Sequence, residues 1–410
     1  MPSLTANVSH TFRSLKHADF RLYYLGQIVS LTGTWMQNVA LSWLVYRLTN
    51  SAVWLGIIEC ANLLPMLLFG LSAGWLADHF DRRRTILITQ ALSMLQALVL
   101  TYLTLTNQIQ IWECVVLSAF LGTATAWEIP SRQAFLIDII EREDLVNAIS
   151  LNSSLFNGAR FIGPAIAGIL VARFGEGLCF GLNTLSYVAM LIALCAMKVK
   201  HKPRIFADGE QKSSLKEAFQ FVHRHKEIRP VLTLSLVITV FGLQYTVLLP
   251  VMAKEVLHGG VETLGMLRAF GGLGALIAAL TLASKGHGEF LKKAVGLAAF
   301  ALGLGLFAFA FSTNLYLSEV LCTVTGFFMT TLLSGSHSLV QLNVSDHLRG
   351  RVMSIYMTIM LGINPVGSFL VGCAASRYGG PCTIMVCAVV STIAGLIYLM
   401  FLKRRNHAFT

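Results

Sequence analysis

The sequence predicts an all-α integral membrane protein with twelve transmembrane helices in two pseudo-symmetric six-helix bundles. Three observations predict it: apolar runs long enough to cross a bilayer recur along the whole chain, the breaks between them alternate in charge, and the second half repeats features of the first.

Of the 410 residues, 55% are hydrophobic and 12% charged, with a mean hydropathy of +0.68. An ordinary soluble domain carries about 25% charged residues. Each apolar run approaches the roughly 20 residues that a helix needs to span a bilayer. The expected spans are 21–46, 52–77, 85–106, 111–134, 146–173 and 176–198, then 228–255, 261–284, 290–312, 314–342, 349–376 and 380–402. The longest polar stretch, 199–227, separates the halves, so the expected organisation is an N-terminal bundle (1–198), a linker (199–227) and a C-terminal bundle (228–410). Within the linker, Leu215, Phe219 and Val222 share one face of an amphipathic helix expected to lie along the membrane surface.

Loops retained in the cytoplasm carry the excess of Lys and Arg. With the N-terminus inside, 25 of the 31 basic residues fall on the cytoplasmic side and four (Arg47, Arg173, Lys254, Arg377) outside, so both termini are expected in the cytoplasm. The net charge of +11 is therefore topological; the basic residues form no face interleaved with aromatics for stacking bases, which argues against a nucleic-acid partner. Residues 1–16 hold no apolar run followed by a small-residue cleavage site, so a removable signal peptide is not expected there. Eight cysteines lie mostly in apolar segments without a C-x-x-C pair, so neither a metal nor a cofactor is expected. The phosphate-binding loop of a primary pump is absent.

The repeat has a measurable register. Gly163, Gly168, Arg173 and Gly175 recur 204 positions later as Gly367, Gly372, Arg377 and Gly379; Leu55-Gly56 recurs 209 positions later as Leu264-Gly265. Parallel six-helix repeats with a binding site between them are a transporter architecture.

Between the second and third spans stands Gly74-Trp-Leu-Ala-Asp78-His-Phe-Asp81-Arg82-Arg83-Arg84. It resembles the loop signature of the major facilitator superfamily, with Asp81 where many members carry glycine. The resemblance implies a conformational latch at a cytoplasmic seam, Asp78 pairing with the arginine cluster. A second resemblance runs from Glu128-Ile-Pro130 through Asn147 to Asn157-Gly158-Ala-Arg160-Phe-Ile-Gly163-Pro164-Ala-Ile-Ala-Gly168. It is similar to the branch holding the enterobactin exporter and macrolide-efflux proteins. Gly158, Gly163, Pro164 and Gly168 resemble the fifth-helix signature of antiporters; small residues allow close helix approach and proline bends the helix.

An ionisable side chain deep in a bilayer is costly unless it faces a cavity or a partner. Glu59 and Glu128 are therefore the candidates for coupling, and Arg160 and Arg268 for holding a carboxylate or an anionic part of the substrate, against static ion pairs holding helices together. Glu59 and Arg268 stand 209 apart, opposite charges at equivalent positions. Polar stripes containing Gln27, Thr34 and Gln37 on the first helix, Asn157 on the fifth and His337 on the tenth point to a cavity or to helix-helix hydrogen bonds. Glu113 and Glu319 are expected to be solvated.

The resulting expectation is a secondary transporter, not an enzyme, in a bacterial inner membrane, monomeric, whose partners are the bilayer, a small organic substrate and protons. It exports a siderophore or hydrophobic drug by proton-coupled alternating access. Uptake or facilitated transport of a nutrient or lipid-like solute, and a non-transporting scaffold or receptor, are the rival readings.

Overall fold

The computed structural model describes residues 13–198, 215–285 and 288–407, which are helical almost throughout. After a 3-10 turn (Arg13–Lys16) come α1 (Ala18–Thr49), α2 (Ala52–His79), α3 (Arg82–Leu105), α4 (Ile111–Ile139), α5 (Leu145–Phe174) and α6 (Glu176–Ala196). A linker helix α7 (Leu215–Arg224) leads to α8 (Ile228–Val256), α9 (Val261–Lys285), α10 (Gly288–Phe311), α11 (Leu315–Leu342), α12 (His347–Tyr378) and α13 (Gly380–His407). Eleven of these are long and apolar enough to cross a membrane. The twelfth, α1, has 32 residues and the length to span, but Gln27, Ser30, Thr34 and Gln37 dilute its hydropathy. On α7, Ala218 is buried and Phe221 and Val222 pack against the core, while Phe219 is exposed.

Two spans are not plain α-helices. In α8, π turns at Ile238–Gly242 and Met252–Val256 flank a 3-10 stretch at Leu243–Leu248. Gln244 Nε2 donates to the Thr239 carbonyl (2.7 Å) and to Asn364 Oδ1 (2.7 Å), satisfying a backbone oxygen that the irregular ladder leaves over and tying α8 to α12. In α12 a π turn at Thr358–Gly362 directly precedes Pro365. Such interruptions let a helix flex without exposing backbone to lipid.

In the first half α2 packs on α4, and α1 and α3 on α6; in the second, α9 packs on α11 and α10 on α13. The halves meet chiefly through α5 against α9 and α2 against α12. Glycine sets both seams. A Cβ added at Gly265 would lie 2.7 Å from the Gly168 Cα and 2.7 Å from the Pro164 carbonyl oxygen; one added at Gly56 would lie 3.2 Å from the Gly372 Cα. The repeat gains a structural meaning here: Gly56 and Gly265 are equivalent, as are Gly168 and Gly372, so the second seam is the first one reproduced by the pseudo-two-fold. Gly175 and Gly379, also equivalent, end α5 and α12 at φ of 79° and 84° and donate to Val171 and Ala375.

Both seams tighten on the side of the molecule away from the chain termini, here the far side. Four turns from Gly56 on the same face of α2, Gly70 meets nothing within 4 Å, and on the corresponding face of α5, Ser150 and Ser154 are exposed. The halves therefore join at the far side and part toward the terminus side. Replacing Gly265 by valine is expected to destabilise this arrangement by about 1–3 kcal/mol through overpacking, read as a lower melting temperature in detergent. Gly70→Ala, in open space, is expected to stay within about 0.5 kcal/mol.

Candidate functional site

The site begins with a missing hydrogen. Pro164 has no N–H to donate to the carbonyl four residues earlier, and that carbonyl, on Arg160, lies against Gly272 of α9, where an added Cβ would be 2.5 Å from it. The seam thus carries Arg160 from α5 to the boundary between halves. Its guanidinium lies over the Trp35 ring, 5.7 Å from the centroid, and Trp35 meets Phe156 edge-on at 5.8 Å. The close approach of α1 and α5 depends on Gly163, whose added Cβ would sit 2.6 Å from that of Trp35.

From the other half, Arg268 stands one turn before Gly272 on the same face of α9. Its Nε is buried and has no hydrogen-bond partner. Glu59, one turn beyond Gly56 on α2, lies within electrostatic reach of Arg268, but the pair makes no contact within 4 Å. Tyr245, from α8, stands near both guanidiniums. Tyr245 is buried, its ring edge-on to Phe309 at 6.5 Å. Glu59, Arg160 and Arg268 are each partly exposed. Three of the sequence candidates are thus one cluster, two guanidiniums and a carboxylate between the halves, none with a hydrogen-bonded acceptor or donor among the described residues.

At the far side the cluster is capped by polar contacts that cross the boundary. Tyr46 donates to Glu255 Oε1, Lys254 Nζ donates to Asn50 Oδ1 at 2.6 Å and its ammonium lies 5.5 Å from the Tyr46 ring centroid. Beside them, Arg47 pairs with Glu176 at 2.8 Å within the first half. Sequence reading did not find this latch, although one signal existed: Tyr46 and Glu255 are 209 apart, the shift that relates Leu55-Gly56 to Leu264-Gly265.

The other candidates are placed elsewhere. Glu128 is buried inside the first half, where its Oε1 accepts from Gln90 Nε2 (2.9 Å) and pairs with Arg132 (3.2 Å). Gln37 is committed to helix-helix bonding, donating to Gln96 Oε1 (3.0 Å) and accepting from Asn183 Nδ2 (2.8 Å). Gln27 donates to the Tyr23 hydroxyl at 3.3 Å, Thr34 donates to the Ser30 carbonyl at 2.9 Å, and Asn157 bonds its own helix through the Ser153 carbonyl. In α11 the His337 ring meets Tyr356 edge-on at 5.6 Å. Gly158 meets nothing within 4 Å. Glu113 caps α4 by accepting from the Gln110 N–H, whereas Glu319, expected to be solvated, is 7% exposed near the start of α11.

In the loop motif, the side chains of Gly74 and Asp78 lie outside the described ones. Asp81 N-caps α3 by accepting from the Arg84 N–H at 3.1 Å. Arg82 Nη1 donates to both oxygens of Asp138 (2.7 and 2.8 Å), and Arg83 donates to the carbonyls of Leu194 and Cys195, 3.0 Å each. These contacts run from α3 to α4 and α6, so they brace the first half internally.

Two measurements follow from these placements. A double-mutant cycle on Glu128 and Arg132 is expected to give a coupling of about 1–3 kcal/mol in thermal unfolding, as for neighbours in one network. Glu255→Gln, which weakens the latch without emptying it, is expected to raise the labelling rate, by a membrane-impermeant reagent, of a cysteine placed at position 52, where Ala52 is buried at the Gly372 seam.

Residues 9–408 match the family described as transmembrane secretion effector. The staphyloferrin A transporter of Staphylococcus aureus is 30% identical, over 94% of this chain and 96% of that one. The multidrug efflux pump Tap of Mycolicibacterium fortuitum is 24% identical over 95% and 97%, and macrolide efflux protein A of Streptococcus pyogenes 20% identical over 88% and 90%. Among solved structures, a peptide transporter superposes with a TM-score of 0.77 at 13% identity, covering 94% of each chain.

Proposed function

The chain belongs to the transmembrane secretion effectors of the major facilitator superfamily, and from that premise we propose that it exports an organic small molecule by proton-coupled alternating access across a bacterial inner membrane. The relatives it matches over nearly their full length are named for staphyloferrin A transport and for multidrug and macrolide efflux. A siderophore or a hydrophobic drug is the corresponding substrate here.

The observation that carries the proposal is the charge cluster on the boundary of two halves that join on one side of it and part on the other. The excess of Lys and Arg on the terminus side assigns that side to the cytoplasm. The Tyr46–Glu255 and Lys254–Asn50 latch then closes the outer side, and the cluster is reached from the compartment from which an exporter loads once the α2–α12 contact at Leu67 and Gly362 parts. Release outward requires the latch and glycine seams to separate while the cytoplasmic ends approach. The bracing of α3 against α4 and α6 by Arg82 and Arg83 lets the first half rock as one body, and the loop motif would in addition latch the cytoplasmic seam when the outer side opens.

Of the two carboxylates, Glu59 fits coupling better. Glu128 shares Oε1 with Gln90 and Arg132 inside one half, whereas Glu59 faces the opposite half without a bonded partner. A proton arriving at Glu59 from outside removes its attraction to Arg268 and so changes the energy between the halves; losing the proton to the cytoplasm restores it. In proteoliposomes with an imposed pH gradient, screened with siderophores, macrolides and lipophilic cations, Glu59→Gln is expected to lower gradient-driven accumulation at least about tenfold while retaining substrate exchange without a gradient. Glu128→Gln is expected to keep the gradient dependence. Undiminished gradient-driven transport by both variants together would remove proton coupling through these carboxylates.

A further inference from the structure

Resting on the export reading, the boundary cluster also specifies the chemistry of what is carried. We propose that the substrate is an organic carboxylate, its anionic group held between Arg160 of the first half and Arg268 of the second and its apolar body against Trp35 and Phe156.

Four observations lead there. Two guanidiniums and one carboxylate make a cluster with one positive charge uncompensated, in a region where an uncompensated charge is costly. Arg268 Nε is buried without an acceptor, and a buried charged donor left unmet carries the full desolvation cost of that group. Glu59 supplies field to Arg268 but no contact within 4 Å, so the donors of Arg268 are held near an anion without being occupied by it. The Arg160 guanidinium lies over the Trp35 ring, 5.7 Å from its centroid, and no hydrogen-bond acceptor among the described residues occupies its N–H groups. A guanidinium presents a planar fork that matches a carboxylate, and the Trp35–Phe156 pair beside it offers an aromatic surface.

Glu59 then has a second part. It is the internal anion that keeps Arg268 tolerable when the site is empty, and it repels the substrate carboxylate when both are charged. Removing its charge strengthens anion binding, the opposite of what a merely structural ion pair would do.

The test is direct binding to the purified full-length chain in detergent, by calorimetry, with 2-naphthoate, its neutral amide and the corresponding naphthylmethylammonium. The carboxylate is expected to bind at least about tenfold more tightly than the amide, and the ammonium weakest. Arg160→Gln and Arg268→Gln each weaken naphthoate binding about tenfold or more, Arg268→Lys falls between, and Glu59→Gln tightens it. Melting temperatures qualify each variant as folded before it is compared. Equal binding of acid and amide, a preference for the ammonium, or a folded Arg268→Gln that binds naphthoate as the parent does would overturn the proposal. Because no gradient enters this measurement, the outcomes separate. A chain that ignores naphthoate yet extrudes neutral drugs keeps the export reading and loses this one; a chain that binds naphthoate but moves nothing against a gradient does the reverse.

Discussion

Equivalent residues of two repeated halves can touch only on the axis that relates them, and the whole interface of this protein follows from that geometry. Gly56 meets Gly372 and its image Gly265 meets Gly168, one surface used twice. On the axis itself stand residues facing their own counterparts at the 209 shift: Glu59 toward Arg268 and Tyr46 on Glu255. An unmodified duplication would place like with like there, two carboxylates or two ammoniums at close range in a medium that screens poorly. The observed pairs are all unlike. Divergence between the halves is therefore greatest in chemistry where they must meet face to face, while the glycines, which offer only backbone, stay identical.

The same division appears in the helices that form the boundary. In the first half, α5 is interrupted by Pro164 and α2 by Pro65; in the second, α8 and α12 carry π turns and a 3-10 stretch. Each interruption frees a carbonyl, and two can be followed: that of Arg160 lies on Gly272 of another helix, and that of Thr239 accepts from the Gln244 side chain of its own helix. Backbone groups at membrane depth must be met within the protein, so a helix that is to bend can do so only where its own side chains or a partner helix supply the contact. The interruptions at Pro65, Pro164 and Thr358–Gly362 thus fall on helices of the inter-half seam.

Much of this was legible beforehand. The spans were readable because bilayer thickness dictates their length; 52–77 became Ala52–His79 and 228–255 became Ile228–Val256. Glu59, Arg160 and Arg268 were identifiable because a charge in an apolar run is costly wherever it points. What was not legible was pairing. Gln37 belongs to a stripe that reads as cavity lining, yet its amide is filled by Gln96 and Asn183 from α3 and α6. Periodicity reports which face a residue occupies and says nothing of what the facing helix brings. Glu319 was misjudged for a related reason, since nearness to a helix end along the chain does not fix depth in the packed bundle. The Tyr46–Glu255 contact could have been found by asking which polar residues recur at shifts of 204 and 209.

That question also separates the two carboxylates on physical grounds. A ligand or proton moves a two-state equilibrium only to the extent that its interaction energy differs between the states. Glu128, Gln90 and Arg132 all belong to the first half, and if that half moves as a body their mutual distances are the same whichever side is open. Protonating Glu128 then changes both states nearly equally. Glu59 and Arg268 lie on opposite bodies, so their separation, and with it the energy of any charge placed on either, necessarily changes as the halves rock. A residue can be buried, ionisable and deep in the membrane and still have no leverage on the conformational change; leverage belongs to charges whose nearest opposite charge is on the other half.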